Sequence, residues 1–123
     1  DERTWEFSVA IPVIVPASSP ARQVGDVATA MWANYPNPFN PETWIPFDLS
    51  ADGEVVVTIY DAPGNIVRRL ELGYRSAGVH RSRYEAAYWD GTNEYGERVA
   101  SGVYVAVLRT PSGTASRRML LLK

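Results

Sequence analysis

The sequence contains no cysteine, and it has a single histidine, His80, and a single lysine, Lys123. Without cysteine, disulfides, thiolate nucleophiles and cysteine-based zinc sites are excluded. The absence does not assign a compartment, because exported bacterial proteins often lack cysteine as well. A lysine at the last position is poorly placed for a buried Lys–Asn isopeptide bond, so we expect no such crosslink.

Helical periodicity, a signal peptide and long apolar runs are also missing. The chain begins at Asp1 with no initiator methionine, no basic segment and no apolar segment after it. We therefore expect it to be part of a longer protein. Its apolar runs are too short to cross a bilayer, which predicts no membrane insertion.

Charge is divided unevenly along the chain. Residues 1–61 carry nine acidic residues and two arginines, whereas residues 62–123 carry five acidic and ten basic residues. Such asymmetry can indicate a nucleic-acid surface, and Arg81, Arg83 and Tyr84 come closest to the required mixture of basic and aromatic residues. The basic residues are scattered and the net charge is −2, so we expect oppositely charged strands to pair and no nucleic acid to bind.

The clearest pattern in the sequence is the recurrence of apolar residues at every second position, which is typical of β-strands. In residues 4–15 every second side chain is apolar, from Trp5 to Val15, and Pro12 lies on the opposite side, as expected for an edge strand. Further strands are predicted at 43–49, 54–60, 66–72, 78–89, 102–109 and 114–122, with turns at 62–65, 92–98 and 111–113. The pattern predicts an all-β, Ig-like antiparallel β-sandwich of seven to eight short strands.

Composition divides the chain into three parts. Residues 1–15 are predicted to be an extra N-terminal strand or the end of a preceding domain. Residues 16–26 are rich in Pro, Ser and Ala and are predicted to be a linker. Residues 27–123 form the predicted domain. Within it, residues 34–42 hold three prolines and three asparagines, which excludes helix, and Phe39 is predicted to plug one end of the core.

Catalytic and cofactor motifs are absent from the sequence. His80 has no nucleophile and orienting acid beside it, and neither a G-x-S-x-G elbow nor a phosphate-binding glycine loop occurs. We predict no catalytic residue, no metal and no cofactor. Two binding alternatives stay open: weak calcium binding by residues 90–96, and sugar stacking on Trp32, Trp44, Tyr88 and Trp89.

Five blocks in order carry a resemblance to a known family. They read NYPNPFNPETWIPFDL at 34–49, VVVTIYDAPGNIVRRL at 55–70, AGVH at 77–80, WDGTNEYGERVASGVYVAVL at 89–108 and RRMLLLK at 117–123. Together they resemble the C-terminal sorting domains of the type IX (Por) secretion pathway and the related Ig-like domain of the flagellar hook-cap protein. In that fold, the structural turn residues are Asn37, Pro38, Phe39, Asn40, Pro41, Trp89, Asp90 and Gly91.

The resemblance implies a non-catalytic address label at the end of an exported bacterial protein, read by outer-membrane export machinery and attached at the cell surface or secreted. Its partners are that machinery and upstream cargo domains, and a chain ending at RRMLLLK fits a true C-terminus. The implied recognition residues are Gly102, Val103, Tyr104, Arg117, Arg118, Met119, Leu120, Leu121, Leu122 and Lys123. The alternatives are a structural assembly module that recruits a protein partner by strand addition, and a carbohydrate-binding sandwich.

Overall fold

A computed structural model of the chain describes residues 27–123, so the predictions for residues 1–15 and 16–26 lie outside the described residues. The described part is all β, as predicted. Its strands, in chain order, are β1 (Ala30–Met31), β2 (Thr43–Ile45), β3 (Phe47–Leu49), β4 (Gly53–Asp61), β5 (Ile66–Arg75), β6 (Gly78–His80), β7 (Ala87–Trp89), β8 (Gly102–Thr110) and β9 (Gly113–Leu121).

The strands form two layers. One layer is an antiparallel four-stranded sheet in the order β9-β8-β4-β5. The other consists of a three-stranded sheet, β1-β3-β6, and a two-stranded sheet, β2-β7. Both layers contribute to one buried cluster, and Trp89 at its centre packs against Phe39 and Tyr104 at ring-centroid distances of 5.6 and 5.4 Å. This is the predicted Ig-like β-sandwich.

Two predicted strands are each broken in two, and the short strand β1 was not predicted, so residues 27–123 contain nine strands. The strand predicted at 43–49 is interrupted at Pro46, where the chain leaves β7 and joins β1 and β6. The single long, irregular strand predicted at 78–89 is instead two short strands, β6 and β7. A turn closed by Ser82, whose carbonyl accepts from the amides of Glu85 and Ala86, separates β6 from β7.

The hairpin between β4 and β5 also differs from its predicted form. The turn predicted at residues 62–65 has Pro63 and Gly64 at its second and third positions, the order that favours a type II turn. Instead Gly64 closes a turn that begins at Asp61, donating its N–H to the Asp61 carbonyl at 3.0 Å. Gly64 has a φ of +101°, and the strand register shifts next to the turn. The extra residue is accommodated as a bulge, which is why the glycine comes one position later.

Candidate protein interface

The two halves of the predicted recognition set lie side by side. In the β8–β9 hairpin Leu120 pairs with Val103, Met119 with Tyr104, and Leu121 with Gly102. Tyr104, Met119 and Leu121 are buried in the core, and burial raises the pKa of the Tyr104 phenol. The members that remain on the surface are Val103, Arg117, Arg118, Leu122 and Lys123. A partner can therefore contact only part of the set, and the rest supports the fold.

The outer edge of β9 is closed over its second half. Phe39 forms a parallel bridge to Leu121, donating to the Leu120 carbonyl at 3.0 Å and accepting from the Leu122 amide at 3.1 Å. The Asn37 Oδ1 accepts from the Leu120 amide at 3.2 Å. The Phe39 side chain is 1% exposed, so the predicted core plug is confirmed, and its backbone also seals the edge.

No strand within residues 27–123 is hydrogen-bonded to the first half of the same edge, although β1 lies near β9. The backbone N–H and C=O groups of Leu120 point away from β8, toward the open edge of the sheet. Alternation in an antiparallel pair requires those of Arg118, Ser116 and Thr114 to point the same way. Their N–H and C=O groups have no backbone partner among the described residues. We call Thr114, Ser116 and Arg118 the free half of β9.

The opposite edge of the sheet, β5, is covered by side chains. Glu94 accepts a hydrogen bond from the outward-pointing Arg69 amide at 2.6 Å. The neighbouring Arg68 guanidinium donates to the Thr92 hydroxyl at 2.8 Å and lies 3.2 Å from the Asp90 carboxylate. Loop 90–98 is thereby tied to β5, and a strand cannot reach Arg69 without displacing Glu94.

Asp90 organises this loop from within. Its Oδ1 accepts from the Thr92 amide at 3.0 Å and from the Thr92 hydroxyl at 2.6 Å. Burial opposes ionisation of Asp90, but these hydrogen bonds and the Arg68 charge outweigh it, so the pKa of Asp90 is lowered. An oxygen already holding two donors and an arginine is a poor calcium ligand, and residues 27–123 contain no cluster of three potential metal ligands.

The loop also contacts the proline-rich turn. Gly91 has a φ of +80°, and a Cβ at this position would collide with the Pro41 carbonyl oxygen. Trp89, fully buried, donates from its indole to the Thr92 carbonyl at 2.9 Å. The residues assigned to structural turns from the resemblance, 37–41 and 89–91, are therefore in direct contact at one end of the sandwich.

The four-stranded sheet has an apolar side facing away from the core. In β8, the side chains of Tyr104, Ala106 and Leu108 point into the core. The three valines that alternate with them, at positions 103, 105 and 107, therefore lie on the opposite face of the sheet. Shallow depressions lie on this side, one beside Arg118 and another lined by Val56, Tyr60 and Ile66. Arginines 69, 109 and 118 border it. We define the outer face as Val56, Thr58, Tyr60, Ile66, Val103, Val105, Val107 and Leu120.

The candidate sugar-stacking residues do not form an open platform. Trp89 is in the core. Trp44 lies between Tyr35 and Tyr88, with the Arg83 guanidinium 4.4 Å from its ring centroid. Trp32 and Tyr88 are 44% and 43% exposed. Tyr88 donates to Glu42 at 2.6 Å, and this hydrogen bond, with burial, raises the pKa of Tyr88 to about 12.

His80 is bound within the structure. Its Nε2 lies 2.8 Å from the Ser76 carbonyl oxygen, and its ring stacks on Phe47 at 4.8 Å. These contacts account for the position of the ring. Within residues 27–123 there is also no helix with the length and apolarity needed to cross a bilayer.

Two features were missed in the sequence. The outer face is visible in the sequence, because the segment GVYVAVLR has apolar side chains at both odd and even positions and therefore on both faces of the strand. No local sequence pattern indicates the contacts Glu94–Arg69 and Arg68–Asp90. The residues of these pairs are 25 and 22 positions apart, and they meet only because the loop folds over β5.

Known proteins share this architecture. The protein-family model of the FlgD Ig-like domain matches residues 43–113. The basal-body rod modification protein FlgD of Salmonella typhimurium is 37% identical over 78 residues, which are 63% of this chain but 29% of the relative. This chain thus spans less than a third of that relative's length.

A solved structure agrees at the level of the fold. The latent dimeric PorU of Porphyromonas gingivalis matches with a TM-score of 0.58 and 21% identity, over 90% of this chain and 10% of PorU. FlgD of P. aeruginosa matches with a TM-score of 0.46 and 26% identity, over 62% of this chain and 56% of its own. The family model covers more than half of the chain, and the chain therefore belongs to the FlgD Ig-like domain family.

Proposed function

We propose that residues 27–123 form a non-catalytic assembly domain that holds a larger exported protein against a protein partner, outside the cell or at its surface. Membership of the FlgD Ig-like family supports this, because a curated relative is named as a basal-body rod modification protein. The observation that carries the proposal is the outer face.

The outer face is unusual for a sheet with one side in water. Antiparallel sheets normally alternate apolar core residues with polar surface residues, whereas β8 presents valine on its water side at three successive outward positions. Ile66 is 63% exposed and Val103 is 40% exposed. A cluster of this kind favours contact with another apolar surface. Arg69 is paired with Glu71, but Arg109 and Arg118 on the same border favour a partner whose rim is acidic.

Site-specific photocrosslinking of the full-length protein in its host tests the contact. A photoreactive amino acid is placed at Val103, on the outer face, and in a separate variant at Val79, a 50% exposed valine on the other layer. We expect the Val103 variant to give one defined adduct with a partner protein, identified by mass spectrometry, and the Val79 variant to give none. Equal labelling at both positions, or no adduct at either, would refute the proposal.

Substitution sharpens the same test. Val103→Asp and Ile66→Asp add a charge on the outer face, at positions exposed enough to leave folding intact. We expect each to lower partner binding at least tenfold in a pull-down with the partner identified above, with Val79→Asp as the matched control. Unchanged binding in both outer-face variants would exclude this surface.

A second candidate is the sorting role implied by the type IX resemblance, in which the domain directs export. The observation in its favour is the exposed pair Arg117 and Arg118 on β9, of which Arg118 belongs to the free half. A reporter fused to residues 27–123 is expected to be exported in a type IX host, and Arg117→Ala with Arg118→Ala to reduce export. Arg83→Ala, on the other layer, is the control. Export of the double variant at the control level would reject this candidate.

A further inference from the structure

We propose that the outer face binds an extended, proline-containing segment of the partner, which crosses the strands and brings acidic side chains to Arg109 and Arg118. The inference rests on the proposed function, and it goes further by naming the kind of segment that the outer face accepts. Two observations carry it: a row of side chains with a depression at each end, and two exposed arginines beside that row.

The row lies across three strands. Ser116 is opposite Val107, and Val107 is opposite Thr58, so their side chains line up over β9, β8 and β4. We call Ser116, Val107 and Thr58 the central row. The rows on either side of it contain, respectively, Arg118, Val105 and Tyr60, and Thr114, Arg109 and Val56. A segment lying on the central row therefore runs across the strands and does not pair with an edge.

A depression lies at each end of the central row. At the β9 end, the depression is lined by Ser116 together with Val105, Arg117 and Arg118. At the β4 end, the lining of the depression is mostly apolar and consists of Val56, Thr58, Tyr60, Ile66, Arg69 and Arg109. Each depression offers a place for one side chain of a bound segment.

The spacing of the depressions indicates the conformation of that segment. Ser116 and Thr58 are two strand spacings apart, which is about 9.6 Å. A polyproline II helix repeats every three residues with a rise of about 3.1 Å, so side chains at i and i+3 are about 9.3 Å apart. Side chains on one face of a β-strand are only about 6.8 Å apart. A polyproline II segment therefore places an apolar side chain at each depression.

Charge determines what stands between these two side chains. Arg69, at the β5 end, is already paired with Glu71 at 3.2 Å. Arg109 and Arg118 are exposed, and neither has an acidic side chain within 4.0 Å among residues 27–123. They lie on opposite sides of the central row. Carboxylates beside the apolar side chains of the segment form charge-assisted hydrogen bonds with them.

Arg109 also covers part of the central row. Its guanidinium donates to the Tyr60 hydroxyl at 3.2 Å and lies 5.9 Å from the ring centroid. Because Arg109 and Tyr60 are on opposite sides of the central row, this contact passes over it, and Thr58 is only 6% exposed although it points away from the core. A carboxylate that binds Arg109 draws it away from Tyr60 and uncovers Thr58.

NMR titration of the full 123-residue chain with synthetic peptides tests the inference. The probe is the acetylated and amidated hexapeptide VEPVEP, in which the valines are three positions apart. VKPVKP reverses the charge, and VEPEVP places the valines four positions apart. We expect saturable chemical-shift changes centred on the Thr58 and Val107 amides with VEPVEP, and at least about tenfold weaker binding of both control peptides. Equal binding of the three peptides, or shifts confined to other residues, would overturn the inference.

Two variants separate the roles of charge and cover. Arg109→Gln is expected to weaken VEPVEP binding at least about tenfold, because the carboxylate contact is lost. Tyr60→Phe releases Arg109 but keeps its charge, so it is expected to bind at least as tightly as the native chain. Arg83→Gln, an exposed arginine on the other layer, is the matched control. Unchanged binding by Arg109→Gln contradicts the charge contact, and weaker binding by Tyr60→Phe contradicts the cover.

Failure of this inference is distinguishable from failure of the proposed function. Val107→Trp fills the central row, whereas Val103→Trp adds the same bulk on the same strand outside it. If Val103 gives the partner adduct but Val107→Trp binds the partner as well as Val103→Trp does, the outer face is the interface and the extended segment is wrong. If Val103 gives no adduct, the proposed function fails, whatever the peptides show.

Discussion

The two edges of the four-stranded sheet are protected by different means. On β5, protection comes from side chains, with Glu94 occupying an outward amide and Arg68 holding the loop in place. On β9, the backbone of Phe39 protects the second half, and no strand among residues 27–123 is hydrogen-bonded to the first half. A sandwich does not need the same device on both edges, and the less covered edge is the one to examine for partners.

The difference extends to the charges on each edge. β5 carries Arg69 and Glu71 within 3.2 Å, so its local charge is balanced. β9 carries Arg117 and Arg118, and Arg117 lies on the core side of the sheet although it is exposed. An inward-facing charge discourages pairing with an arbitrary apolar strand.

The largest effect is expected from Phe39→Ala, because Phe39 covers the second half of the β9 edge and packs in the core. The variant removes a fully packed ring from contact with Trp89, and we expect a loss of about 3–4 kcal/mol in the free energy of unfolding. Urea denaturation followed by tryptophan fluorescence measures it. The control, Tyr95→Ala, truncates an 87% exposed ring and is expected to change stability by less than about 0.5 kcal/mol. A similar loss in both variants would show that Phe39 does not close the core.

The covering loop of β5 is weakened by Asp90→Asn, which keeps an oxygen for Thr92 but removes the charge beside Arg68. We expect a loss of about 1 kcal/mol at neutral pH, reduced by the partial exposure of the pair. Because the folded pKa of Asp90 is lowered, its stabilisation is complete above the ordinary value of 3.8 and disappears as pH falls through the folded pKa. Thermal unfolding of both proteins from neutral to acidic pH is expected to converge at the acidic end. A constant difference across the range would contradict the assignment.

The smallest effect is expected from Glu94→Ala, which uncovers the Arg69 amide. The carboxylate is exposed, so we expect a loss of only about 0.5 kcal/mol, together with faster exchange of the Arg69 amide by NMR. The matched control is Glu97→Ala in the same loop, whose carboxylate instead accepts from the Asn93 side chain at 3.0 Å. If Glu97→Ala accelerates the Arg69 amide equally, the loop acts as a whole and Glu94 has no separate role.

Local pattern explains why much of the fold could be predicted. Runs of β-branched and apolar residues between turns located the strands β4, β8 and β9. The break at Pro46 and the turn at Ser82 were missed, because both depend on which neighbour each half-strand pairs with. The sequence block around Phe39 predicted a plug for the core, but its pairing with Leu121 connects residues 82 positions apart and has no local signal.

The candidate interface was less predictable for the same reason. The resemblance selected Gly102–Tyr104 and residues 117–123, and the β8–β9 hairpin brings the two groups together. The resemblance did not indicate which of these residues are buried and which are exposed. That division depends on the sheet order. The outer face depends on it too, because Val56, Tyr60 and Ile66 become neighbours of the β8 valines only when β4 lies between β5 and β8.

The bridge between Phe39 and Leu121 has a consequence for the order of folding. It links the early proline-rich turn to the final strand, so the core cannot be completed until the last residues of the domain are available. Contacts of such long sequence separation make folding slow, since a large loop must close before any stabilisation is gained. During synthesis, Phe39 and the inner side of β8 therefore remain exposed until β9 has been made. If synthesis pauses before this strand, the chain stays partly unfolded and accessible to chaperones.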